Sequence, residues 1–185
     1  SGVAVFRISG KLSLTTLKYL GLEINKIKPR FLHYSPIFNQ DKSEIIDHVL
    51  LSYFKSPHSF TGEDVVEIYS HGSIAVINDI LVELSNIPNI RPAEPGEFTR
   101  LAFANDKMDL IQVEALADLI DAETSMERKI AIEQFSGNLN SIYENWRSSI
   151  VKTIANLEAY LDFPEEDIPS EGLIEGAAEI EKISQ

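Results

Sequence analysis

The chain contains no cysteine. That excludes disulfides, thiol catalysis and Cys-ligated metals, and it suits a reducing compartment. No apolar run approaches the roughly 18 residues that a membrane-spanning helix needs. The first residues lack the basic, apolar, small-residue order of a secretory leader. Together these absences predict a cytoplasmic protein with no membrane segment. The four histidines, His33, His48, His58 and His71, show no zinc-binding spacing. There is no Gly-x-x-x-x-Gly-Lys-Ser/Thr phosphate loop, no Gly-x-Gly-x-x-Gly and no Gly-x-Ser-x-Gly. Nucleoside triphosphate binding of the phosphate-loop kind, the dinucleotide fingerprint and the hydrolase elbow are thereby excluded from these residues. Basic charge is also scarce, with 16 Lys+Arg against 29 Asp+Glu and a formal net charge of -13.

What is present is ordinary globular composition, 44% hydrophobic and 24% charged over 185 residues, enough for one large domain or two modest ones. The charge is uneven. Residues 1–106 hold 10 basic and 12 acidic side chains, whereas residues 107–185 hold 6 and 17. An acidic surface repels phosphate backbones, so any nucleic-acid partner would need basic surface from elsewhere.

The structural period changes at the same place. Val3–Ser9, Phe31–Phe38, Ile45–Phe54 and Asp64–His71 are rich in β-branched and aromatic residues and predict strands. Leu12–Leu20 has helical spacing, with Ser13 as a candidate cap. A helix is expected from Ser73, its N-cap, to about Ser85, and a short edge strand near Ile90. Arg91-Pro-Ala-Glu-Pro-Gly-Glu-Phe-Thr-Arg100 combines a Pro-Gly turn with a helix start. Beyond it, Asp109 and Gln112 match a capping box, and helical spacing runs with few breaks to Phe135. It stops at Gly137 and resumes from about Leu139 to Leu161. Asp162–Ser170 reads as an acidic connector, in which Glu165-Glu166 is read as a solvated charge run rather than as a divalent-ion site. A last helix is expected from about Gly172 and is still running at Gln185, as in a fragment of an incomplete bundle. The expected class is α+β: a mixed sheet domain over 1–106, then part of an all-α bundle over 107–185.

Three residues stand out as candidates for chemistry. Arg7 interrupts an apolar strand, either as an edge or interface ion pair or as a fixed guanidinium for a carboxylate or carbonyl-rich ligand. Glu67 shares a strand face with Tyr69 and His71, opposite Val66 and Ile68. That face is either solvated or ligand-facing, with Glu67 accepting from the N–H groups of a heterocycle. Lys107 precedes a helix whose dipole would favour an acid there, so it is either a solvated lysine or a functional cation.

Seven blocks, taken in order, resemble the N-terminal part of the MnmE (TrmE) family of tRNA-modification GTPases. They are Gly2-Val-Ala-Val-Phe-Arg-Ile-Ser-Gly10, Ser59-Phe-Thr-Gly-Glu-Asp-Val-Val-Glu67, His71-Gly72, Glu94-Pro-Gly-Glu-Phe-Thr-Arg100, Ala102-Phe-Ala-Asn-Asp-Lys-Met-Asp-Leu110, Glu114-Ala-Leu-Ala-Asp-Leu-Ile-Asp-Ala122 and Asp162-Phe-Pro-Glu-Glu166. The resemblance implies a folate-binding, homodimerising N-terminal domain with 5-formyltetrahydrofolate as ligand, followed by the start of a helical domain. It implies folate contacts at Arg7, Glu67 and Lys107 and no metal site. In such a family the full protein hydrolyses GTP, dependent on K+ and Mg2+, through a domain further along. With an MnmG-type FAD protein as partner it modifies C5 of the wobble uridine of certain tRNAs. Gly72-Ser73 stands where the family often has Gly-Gly. The Gly-rich lead-in, the phosphate loop and the Cys-containing tail are not among these residues, which leaves GTP hydrolysis to the full protein. Two other functions compete: a dimerisation scaffold without ligand, and a folate-dependent aminomethyltransferase of another pathway.

Overall fold

A computed structural model describes residues 2–162 and residue 181. The connector and last helix expected after Asp162, with Glu165-Glu166, lie outside the described residues. The chain divides into two compact units, Ser1–Asp109 and Leu110–Gln185.

The first unit is built on four strands, β1 (Val3–Ser9), β2 (Leu32–Phe38), β3 (Ile45–Phe54) and β4 (Val65–His71), in the order β1-β4-β3-β2. The α+β class holds, and within it all three pairings are antiparallel rather than mixed. For β2–β3 and β3–β4 the reason is the length of the links. Six residues join β2 to β3 and ten join β3 to β4, room for a return but not for the helical crossover a parallel neighbour needs. Helices α1 (Ser13–Tyr19) and α2 (Ile74–Ser85) cover one face. Leu17 from the first, Leu20 directly after it, Ile80 and Leu84 from the second, and Leu51 and Ile68 from the sheet meet in one core.

Ser73 caps α2 as its sequence requires, its side chain accepting from Val76 N at 3.2 Å. Ser13 does not cap α1. Leu12 holds the cap position, and the Ser13 hydroxyl is buried with no hydrogen-bond partner among the described residues. The edge strand expected near Ile90 does not form. Pro88, Pro92 and Pro95 supply no N–H to a ladder, and Asn89 adopts a φ of 64°.

The opposite face of the sheet carries no helix along its middle. Val3 and Val5 of β1, Leu32 and Tyr34 of β2 and Leu50 of β3 are exposed there, Tyr34 to 71%. Val3, Leu32, Tyr34 and Leu50, with His48, Tyr69 and His71, border an open cavity of about 540 Å³. Contiguous exposed apolar surface of this kind marks a place where something binds.

The second unit holds α4 (Leu110–Asp121), α5 (Ser125–Phe135) and α6 (Asn138–Asp162). The helical run expected with few breaks to Phe135 is interrupted at residues 122–124. Thr124 and Glu127 form a reciprocal capping box there, so α5 starts afresh. Gly137, with a φ of 83°, ends that helix as expected.

Candidate functional site

The site begins with strand register. β1 and β4 pair so that Arg7 stands directly opposite Glu67, on the sheet face opposite α1 and α2. Arg7 Nε donates to Glu67 Oε1 at 2.9 Å. The hydroxyl of Tyr69, two residues along the same face, donates to Glu67 Oε2. Glu67 is thus held through both oxygens, with 13% of its side chain exposed against 41% for Arg7. Each carboxylate oxygen keeps a second lone pair for another donor. The bond to Glu67, then burial, push the Tyr69 phenol above its ordinary value, so it stays a donor.

Two aromatic rings fix the guanidinium from outside the strand pair. Arg7 Cζ lies 5.4 Å from the ring centre of Phe60 and 5.7 Å from that of Phe98. Each such contact contributes about 0.5–1 kcal/mol at a partly exposed site. Phe60 comes from the β3–β4 loop, and Phe98 from the first turn of α3 (Glu97–Ala104).

A tight turn sets Phe98. Glu97 N donates to Glu94 O at 3.0 Å, and Gly96 at the third turn position has a φ of 75°. Pro95 followed by a positive-φ glycine is type II turn chemistry. Arg91 grips both oxygens of Glu97, Glu94 N donates to Glu97 Oε2 at 2.8 Å, and Arg100 approaches at 3.6 Å. The bond from Arg91 above all, then the Glu94 amide and the two positive charges, lower the Glu97 carboxyl from 4.5 to about 2. A carboxyl depressed in the folded state stabilises the fold above about pH 4.5, and that contribution is lost as the pH falls towards about 2. The urea midpoint is therefore expected to fall between pH 4.5 and pH 2, and less so in a Glu97→Gln variant. Equal falls in both proteins would refute the assignment.

Lys107 belongs to the same unit, but among the described residues no hydrogen bond or ion pair joins it to Arg7 or Glu67. Its stem lies beside Gly62 of the β3–β4 loop. Among the described residues no carboxylate pairs with its ammonium. The loop links the groups: Phe60 covers Arg7, and two residues later Gly62 meets Lys107.

At the other end of the open face, Asp47 accepts from His71 N and the His71 ring, each at 2.8 Å. Burial alone would raise the Asp47 carboxyl, but these bonds and that from His48 N outweigh it and the net direction is down. No group of metal-binding side chains occurs among the described residues.

The sequence singled out Arg7, Glu67 and Lys107 but not Phe60 or Phe98. Phe60 was open to detection as an apolar ring inside a loop otherwise made of turn residues. Phe98 sits directly after the turn and carried no separate signal.

Residues 1–107 match the family model described as the N-terminus of the GTP-binding protein TrmE. The chain belongs to the TrmE (MnmE) family. Residues 110–185 match the MnmE helical domain. Among curated proteins, the chain is 52% identical over 169 residues to "tRNA modification GTPase MnmE" of Rickettsia bellii (strain OSU 85-389), covering 91% of this chain and 38% of that protein. The MnmE proteins of Rickettsia typhi and Rickettsia rickettsii (strain Sheila Smith) are 52% and 53% identical over the same length and shares. The chain thus spans well under half the length of the MnmE relatives it matches.

Proposed function

We propose that this chain is the folate-binding, homodimerising part of a tRNA-modifying GTPase, with its sheet domain over 1–106 and the start of a helical domain over 107–185. The observation that carries the reading is the Arg7–Glu67 pair, set on an open sheet face and held by Tyr69, Phe60 and Phe98. Glu67 presents its free lone pairs to the N–H edge of the pterin of 5-formyltetrahydrofolate. Arg7 and Lys107 hold polar or anionic parts of the same ligand. The exposed apolar face of β1, β2 and β3 supports docking of a second copy. The full protein would hydrolyse GTP with K+ and Mg2+ through residues outside these 185. With an MnmG-type FAD protein it would modify C5 of the wobble uridine of tRNA in the cytoplasm. The acidity of residues 107–185 leaves tRNA contact to other surfaces of that complex.

Calorimetric titration with 5-formyltetrahydrofolate tests the ligand assignment. Saturable heat at one ligand per chain is expected. No heat at millimolar ligand would leave the sheet domain a scaffold.

A further inference from the structure

The β3–β4 loop meets two of the three proposed ligand residues, Arg7 through Phe60 and Lys107 through Gly62. Gly62 has a φ of 79°, and a Cβ added to it would lie 3.0 Å from Asn105 Cβ and 3.3 and 3.4 Å from Cγ and Cδ of Lys107. Such a Cβ would crowd Asn105 and press on the lysine stem, so the bare Gly62 backbone leaves the room in which the lysine methylenes run. Asn105 Nδ2 donates to Thr61 O at 2.7 Å, clamping the loop to the segment that carries Lys107. Thr61 is fully buried, and its hydroxyl lies 2.6 Å from that of Ser9, two residues beyond Arg7 on β1. Lys107 N in turn donates to Ala102 O at 2.8 Å, fastening the lysine backbone to the end of α3.

We infer that Asn105 and Gly62 are positioning residues for Lys107. Gly62 provides the track for its stem, and Asn105 holds that track in place. A lysine stem is flexible, and ordering it on binding costs conformational entropy. A stem laid down beforehand aims the ammonium at an anionic group of the ligand without that cost. The inference rests on the folate assignment of Lys107.

The test is a double-mutant cycle in the full-length protein, with 5-formyltetrahydrofolate as probe. Asn105→Ala is expected to weaken binding on the order of tenfold while Lys107 is present. In a Lys107→Ala background the same change is expected to alter affinity less than about twofold. A purely structural role for Asn105 would show equal losses in both backgrounds. Equal losses, or no loss from Asn105→Ala while Lys107→Ala weakens binding, would overturn the inference and leave the folate assignment standing. Unchanged binding on Lys107→Ala would remove Lys107 from the ligand site and the inference with it.

Discussion

Glu67→Ala is expected to weaken binding of 5-formyltetrahydrofolate on the order of 100-fold, the largest effect of any single change at the site. Glu67 is mostly covered and ties together Arg7 and Tyr69. Its removal deletes the acceptor for the pterin edge. It also frees the guanidinium from its partner, so that Phe60 and Phe98 alone hold it. Hydrogen bonds to a charged group contribute about 1.5–3 kcal/mol each, enough for the predicted loss from one or two of them. Glu67→Gln keeps the shape but turns one oxygen into a donor, so its loss is expected to lie between wild type and alanine. The fold should barely notice, because a cross-strand pair with a partly exposed member contributes under about 1 kcal/mol. Calorimetry paired with urea denaturation separates the two effects. A loss of less than about threefold on Glu67→Ala would remove the residue from the site.

Ile68→Ala is expected to destabilise the sheet unit by about 2–5 kcal/mol. Ile68 has no exposed surface and sits mid-strand on β4, opposite Phe6 of β1 and Leu51 of β3. Truncation leaves a cavity where two strand pairings meet under the helices, a place with little room to collapse. Against a total stability of about 5–15 kcal/mol the loss is large, and Ile68→Val should cost only about 0.5–1.5 kcal/mol. The urea midpoint of the two variants measures both. Because Ile68 lies between Glu67 and Tyr69, the alanine variant should also loosen the site from behind. A cost below about 1 kcal/mol would mean that the core is not centred there.

All four strands were legible because alternation along a strand is local. So was the helix after Ser73, whose cap is written in neighbouring residues. The edge strand expected near Ile90 does not form because the prolines around it supply no ladder N–H. The break before α5 is written in Thr124-x-x-Glu127, but apolar spacing carries across it and masks it. Arg7 and Glu67 were each visible as polar interruptions of an apolar strand. That they face one another was not, because the pairing of β1 with β4 joins residues 60 apart in the chain. The same limit hid Phe60 and Phe98, which reach Arg7 from a loop and a helix with no shared sequence signal. The role of Asn105 is of that kind too, since its partner Thr61 lies 44 residues away.

The most direct measurement is a crystal structure of the full-length protein with 5-formyltetrahydrofolate bound. The ligand is expected beside β1 and β4, with a pterin N–H within hydrogen-bond distance of Glu67 and its polar groups met by Arg7 and Lys107. A ligand seated elsewhere, with the Arg7–Glu67 pair untouched, would contradict the assignment.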